Sequence, residues 1–172
     1  MCQIKFDFNC KAGFGIKYNS ILFTLLTLAV AASTVFLGGL ASLQNECHDD
    51  GVYAGNTNLL TGVTGFSATT LTCKKIYRFY WFIVSFEYVI AAIGLYAVLV
   101  EGKLSCLKGS VMGLFVIGTL LFIYTSNSFL NILEVNLFQS ETLRDRSKTA
   151  VAGAIITATL NALTVFAAGY QE

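Results

Sequence analysis

Of 172 residues, 55% are apolar and 12% charged, with a net charge of +1, against a charged share of roughly 25% in water-soluble domains. That balance excludes a polycationic nucleic-acid binder and makes hydrocarbon the expected solvent. Proline is absent and His48 is the single histidine, so proline-broken helices and multi-histidine haem or metal centres are not expected.

A hydrocarbon layer about 30 Å thick takes about 20 helical residues, each rising about 1.5 Å. The first stretch of that length covers 20–43, follows Lys5, Lys11 and Lys17, and closes on the small residues Gly38, Gly39, Ala41 and Ser42. It exceeds the roughly 7 to 15 apolar residues of a secretory signal, so it reads as a retained helix. The joint over 44–75 carries Gly51, Gly55, Gly62 and Gly65, and 63–72 is rich in Thr, Val and Phe, which suits a small β-hairpin. The second stretch, 76–100, opens on Tyr77, Phe79, Tyr80, Trp81 and Phe82, rings that favour a membrane interface. The third covers 110–136 and the fourth 149–169, and the short joints around them force antiparallel neighbours. The fold class expected is therefore all-α: an integral membrane four-helix bundle with a longer first extracytoplasmic loop, residues 1–172 forming a single domain.

Four spans put both termini on one side, where Lys5, Lys11, Lys17, Lys103 and Lys108 stand against Lys74, Lys75, Arg78, Arg144, Arg146 and Lys148 opposite, five against six. Basic residues thus leave the orientation open. Cysteines favour cytoplasmic termini in a plasma-membrane or endomembrane protein. Cys47 and Cys73 bracket the long loop and suit a disulfide in an oxidising compartment, whereas Cys2, Cys10 and Cys106 lie on the other side as candidates for palmitoylation.

An ionisable residue at the bilayer centre costs about 2.5–3.5 kcal/mol on insertion scales, so Glu87 must face protein or water. Counted inward from the span ends, Glu87, Asn161, Thr125, Asn127, Ser33 and Thr34 fall at comparable depths, an intramembrane polar layer. Its chemistry is either that of a proton, cation or polar-ligand site, or hydrogen-bond glue between helices, with Asn161 or Asn127 as the partner of Glu87. Arg78 and Glu134 sit at matching depths for an interfacial salt bridge. In the fourth span Ala150, Ala154, Ala158 and Ala162 recur every four residues, a small-residue stripe that lets another backbone approach closely.

Walker-type phosphate loops, HExxH, G-x-S-x-G, paired zinc ligands and N-x-S/T sequons are absent. The chain is expected to be no enzyme and to hold no cofactor; Cys47 beside His48, followed by Asp49 and Asp50, reads as a solvated turn rather than a metal site.

Four spans, short termini on one side, a longer first outer loop bracketed by Cys47 and Cys73 and a short second outer loop resemble the MARVEL-type tetraspan proteins. That resemblance implies membrane apposition, microdomain organisation or accessory association. The claudin pattern differs, since the single tryptophan, Trp81, lies in the second span. Casparian-strip-type proteins differ too, because 20–43 contains no arginine. The leading expectation is a non-enzymatic protein acting by lateral association with other membrane subunits or with itself, with lipid and no nucleic acid as partner. The alternative is a small oligomeric transporter or channel that uses the polar layer around Glu87.

Overall fold

The computed structural model describes residues 16–45, 73–99, 103–134 and 141–170. They form four helices, α1 (Ile16–Asn45), α2 (Cys73–Leu99), α3 (Lys103–Glu134) and α4 (Glu141–Gly169). Each contains a segment long and apolar enough to cross a membrane: Ser20–Asn45, Tyr77–Leu99, Leu107–Asn131 and Arg144–Gly169. The chain is an integral membrane four-helix protein. The region suited to a hairpin, 63–72, lies outside the described residues.

The helices outrun the apolar stretches because backbone hydrogen bonding continues past the point where hydrophobicity stops. The clearest case is α4, whose first turns include Arg144, Asp145 and Arg146 ahead of the expected span. There Lys148 Nζ donates to Asp145 Oδ1 at 3.0 Å, an i,i+3 pair on the helix surface.

Packing closes a ring: α1 lies against α2 and α4, and α3 against α2 and α4, while the diagonal pairs bring no backbones together. Glycines set the tightest side. A methyl group on Gly39 of α1 would lie 2.8 Å from the Ala150 nitrogen, and one on Gly153 of α4 would lie 2.5 Å from the Phe36 nitrogen. Ala150 and Ala154 are fully buried, so the start of the alanine stripe receives α1 of the same chain. A four-residue repeat advances about 40° per step around a helix of 3.6 residues per turn. The stripe therefore winds from α1 towards α3, where Ala158 and Ala162 line a groove.

Two apolar slabs fill the ring. Near the Asn45 end, Phe36, Leu40, Tyr80, Ile83, Phe122 and Phe129 pack together, with Phe36 edge-on to Phe122 and Phe129 at centroid separations of 5.5 and 6.2 Å. Such aromatic pairs add about 0.5–1.5 kcal/mol each beyond their burial. Near the Ile16 end, Leu22, Leu26, Ile90, Val111 and Phe115 form the second slab. Glu87, Gly118 and Asn161 fall between the two in sequence and in space.

Candidate functional site

Glu87 sits on the inward face of α2 between Val84 and Ile90, which belong to different slabs. Asn161 on α4 faces it diagonally, and both residues are 0% exposed. Asn161 Nδ2 donates to Glu87 Oε2 at 2.9 Å. This bond spans the bundle between helices whose backbones do not touch. Gly118 of α3 makes room for it: a methyl there would stand 3.2 Å from Glu87 Oε2, 3.3 Å from Asn161 Nδ2 and 2.7 Å from Ile90 Cδ1. Two acceptors, Glu87 Oε1 and Asn161 Oδ1, are buried without a hydrogen-bond partner. Leaving a buried polar atom unmade costs about 1–3 kcal/mol, so this pair is the least satisfied place in the core.

Buried hydroxyls on α1 and one turn either side of Asn161 spend their hydrogens on their own helices. Ser33, Thr157 and Thr164 are buried and donate to the carbonyls of Val30, Gly153 and Leu160. Their oxygens keep acceptor capacity towards the core. The site is rich in acceptors, and no Lys, Arg or His is among the described residues buried in the core.

The expected polar layer divides. Glu87 and Asn161 meet, and Ser33 lies close to their level. Thr34 instead faces outward, bonded to the Val30 carbonyl at 2.8 Å and to the Tyr88 hydroxyl at 3.0 Å. Thr125 is buried and donates to Leu121, two turns from Gly118 towards the Asn45 end. Asn127 is nine residues from Gly118, two and a half turns, so it points away from the axis and is exposed. Counting inward from the span ends placed these residues at one depth; the structure leaves Thr125 and Asn127 about 10 and 13 Å along α3 from Gly118, and rotation turns Asn127 outward as well. Gly118 and Gly153 were missed, although Phe115, Phe122 and Phe129 at seven-residue spacing mark the inward face of α3 and place Gly118 on it.

Other expected features fall outside what is described. The Cys47–Cys73 disulfide, the Arg78–Glu134 bridge and the palmitoylation candidates Cys2, Cys10 and Cys106 each involve residues outside the described side chains. At the interface, Trp81 Nε1 donates to Gln44 Oε1, tying α2 to the end of α1.

No protein-family model matches the sequence, and no curated protein matches it. The fold is similar to that of a solved structure: the crystal structure of the Chlamydomonas reinhardtii LCI1 channel superposes with a TM-score of 0.70 over 90% of this chain and 99% of that one, at 20% sequence identity. The architecture defined by four membrane helices is thus that of a known channel protein, the likeness being one of fold.

Proposed function

We propose that the chain is a small membrane channel or transporter in which Glu87 and Asn161 form the central site and the two apolar slabs are the barriers on either side. The observation that carries this reading is the diagonal Asn161–Glu87 bond with two unpartnered acceptors at full burial. Glue between helices needs satisfied partners, whereas a transit site must keep groups that bind a passing species and let it go. Acceptors without donors suit a proton, a cation or a small polar solute that brings hydrogen-bond donors. The fold shared with the LCI1 channel supports the same reading.

Support for a purely accessory role is thinner, since Ala150 and Ala154, half of the alanine stripe that suggested it, are used inside the chain. The test is flux in proteoliposomes holding the full chain, with protons, alkali cations and small polar solutes offered in turn. The reading expects a flux that falls at least about tenfold in Glu87→Gln with the helical fold retained, a barrier change of about 1.4 kcal/mol. No flux for any of them, or flux indifferent to the substitution, would remove the site from the mechanism.

A further inference from the structure

The lipid-facing surface carries one feature that the central site does not explain. Along α3 the exposed positions Leu120, Ile123 and Leu130 are apolar, as hydrocarbon requires, but Asn127 among them is exposed. Asn127 is six residues from the midpoint of α3 between Lys108 and Glu134, about 9 Å, inside a hydrocarbon half-thickness of about 15 Å. Its side chain is too short to reach the interface, and its carboxamide makes no hydrogen bond among the described residues. The exposed hydroxyls Thr24, Thr27 and Thr159 behave differently, each donating to a carbonyl of its own helix. Asn127 has two N–H donors and an oxygen that no such turn-back satisfies.

Asn127 opens onto a groove of about 510 Å³ between α3 and α4, lined also by Thr119, Ser126, Ala158, Thr159 and Ala162. The alanines keep its floor low. Thr119, Ser126 and Thr159 have each given their hydrogen to a helix carbonyl, so the groove offers the occupant acceptor oxygens plus one carboxamide. An occupant that fits must bring N–H or O–H donors and also an acceptor for the Asn127 amide. Glycerolipid esters bring acceptors alone and would leave the Asn127 oxygen without a donor. A carboxamide is its own complement, because its donors and its oxygen pair with those of an identical group. We propose that the occupant is a second copy of this chain, seated on the α3/α4 groove with the two Asn127 side chains facing each other across the contact. This contact is independent of the transport reading, since it lies on the outer surface and Glu87 lies on the axis.

Two measurements on the full chain in lipid nanodiscs or bilayers test it. Asn127→Cys should cross-link copies under mild oxidation well above the wild-type background, whereas Val89→Cys, exposed on α2 away from the groove, should not. Asn127→Leu should weaken self-association by about five- to thirtyfold, the worth of a polar pair between membrane helices, with its melting profile retained. Cross-linking equal at the two cysteines would overturn the proposal, as would a chain that stays monomeric on dilution in lipid. Native mass spectrometry showing a lipid or an unrelated protein lost from Asn127→Leu, with no change in copy number, would overturn it as well. Flux through the central site is read separately, so loss of either proposal leaves the other standing.

Discussion

Gly118 is the residue on which the central site turns, because any side chain there competes with Glu87, Asn161 and Ile90 for the same volume. The nearest of the three is the methyl end of Ile90, a flexible tip that can move. Gly118→Ala should therefore cost only about 1 kcal/mol, overpacking of about 1–3 kcal/mol being partly offset by the better helix propensity of alanine. Reversible unfolding in bicelles measures it. The Asn161–Glu87 bond itself is open to a double-mutant cycle using Asn161→Ala and Glu87→Met, each of which removes it. The expected coupling is about 0.6–1.7 kcal/mol; a value indistinguishable from zero would mean that the bond does not hold the helices together. Asn161→Ala strands both oxygens of the buried carboxyl, so it should be more harmful than Glu87→Gln, whose amide oxygen can still accept from Asn161.

At the scale of elements, the α1/α4 contact differs from the others because backbone, not side-chain tip, meets backbone. A methyl at Gly153 would press on the Phe36 nitrogen at 2.5 Å, and a main chain cannot step aside as Ile90 can. Gly153→Ala should destabilise by about 3 kcal/mol, at the upper end of overpacking costs. Gly113, whose added methyl meets nothing within 4 Å, is the control: Gly113→Ala should stabilise by up to about 1 kcal/mol through helix propensity alone. Equal effects at the two positions would show that propensity, not close approach, governs these helices. The same contact explains why α4 can be the most weakly amphipathic helix and still hold its place. Its inward face is chosen by small size, Ala150, Gly153 and Ala154, as much as by hydrophobicity.

The described helices form a closed ring with an aromatic slab, a polar pair and a second apolar slab, mainly aliphatic around Phe115, stacked along its axis. Phe122 is fully buried in the first slab, edge-on to Phe36. Phe122→Ala should lower stability by about 3–5 kcal/mol and, under the proposed function, raise basal flux by thinning the barrier above Glu87. Lower stability with unaltered flux would show that the slab is scaffold and not gate. Hydrocarbon also sets the terms on the outside: Phe82, Val89, Leu99, Leu120 and Phe166 are more than half exposed, a surface that water would not tolerate in such density.

Four lengths of apolar chain, their order and the need to hide Glu87 follow from the sequence alone, because the bilayer demands about 20 apolar residues per crossing and penalises a carboxyl by a known amount. Membership of the polar pair does not follow. Depth is a count along the chain, legible in any list of residues, but facing is an angle, and a helix turns about 100° per residue. Glu87 had Asn161 and Asn127 as candidate partners by a count from the span ends; packing brought Asn161 inward to its level and left Asn127 two and a half turns along α3, facing out. The alanine stripe was equally visible, yet which neighbour it receives depended on where Gly39 and Gly153 let two backbones meet. Hydrophobicity is averaged over a span and survives rotation of the helix, whereas a site is made of directions, and only the assembled bundle fixes those.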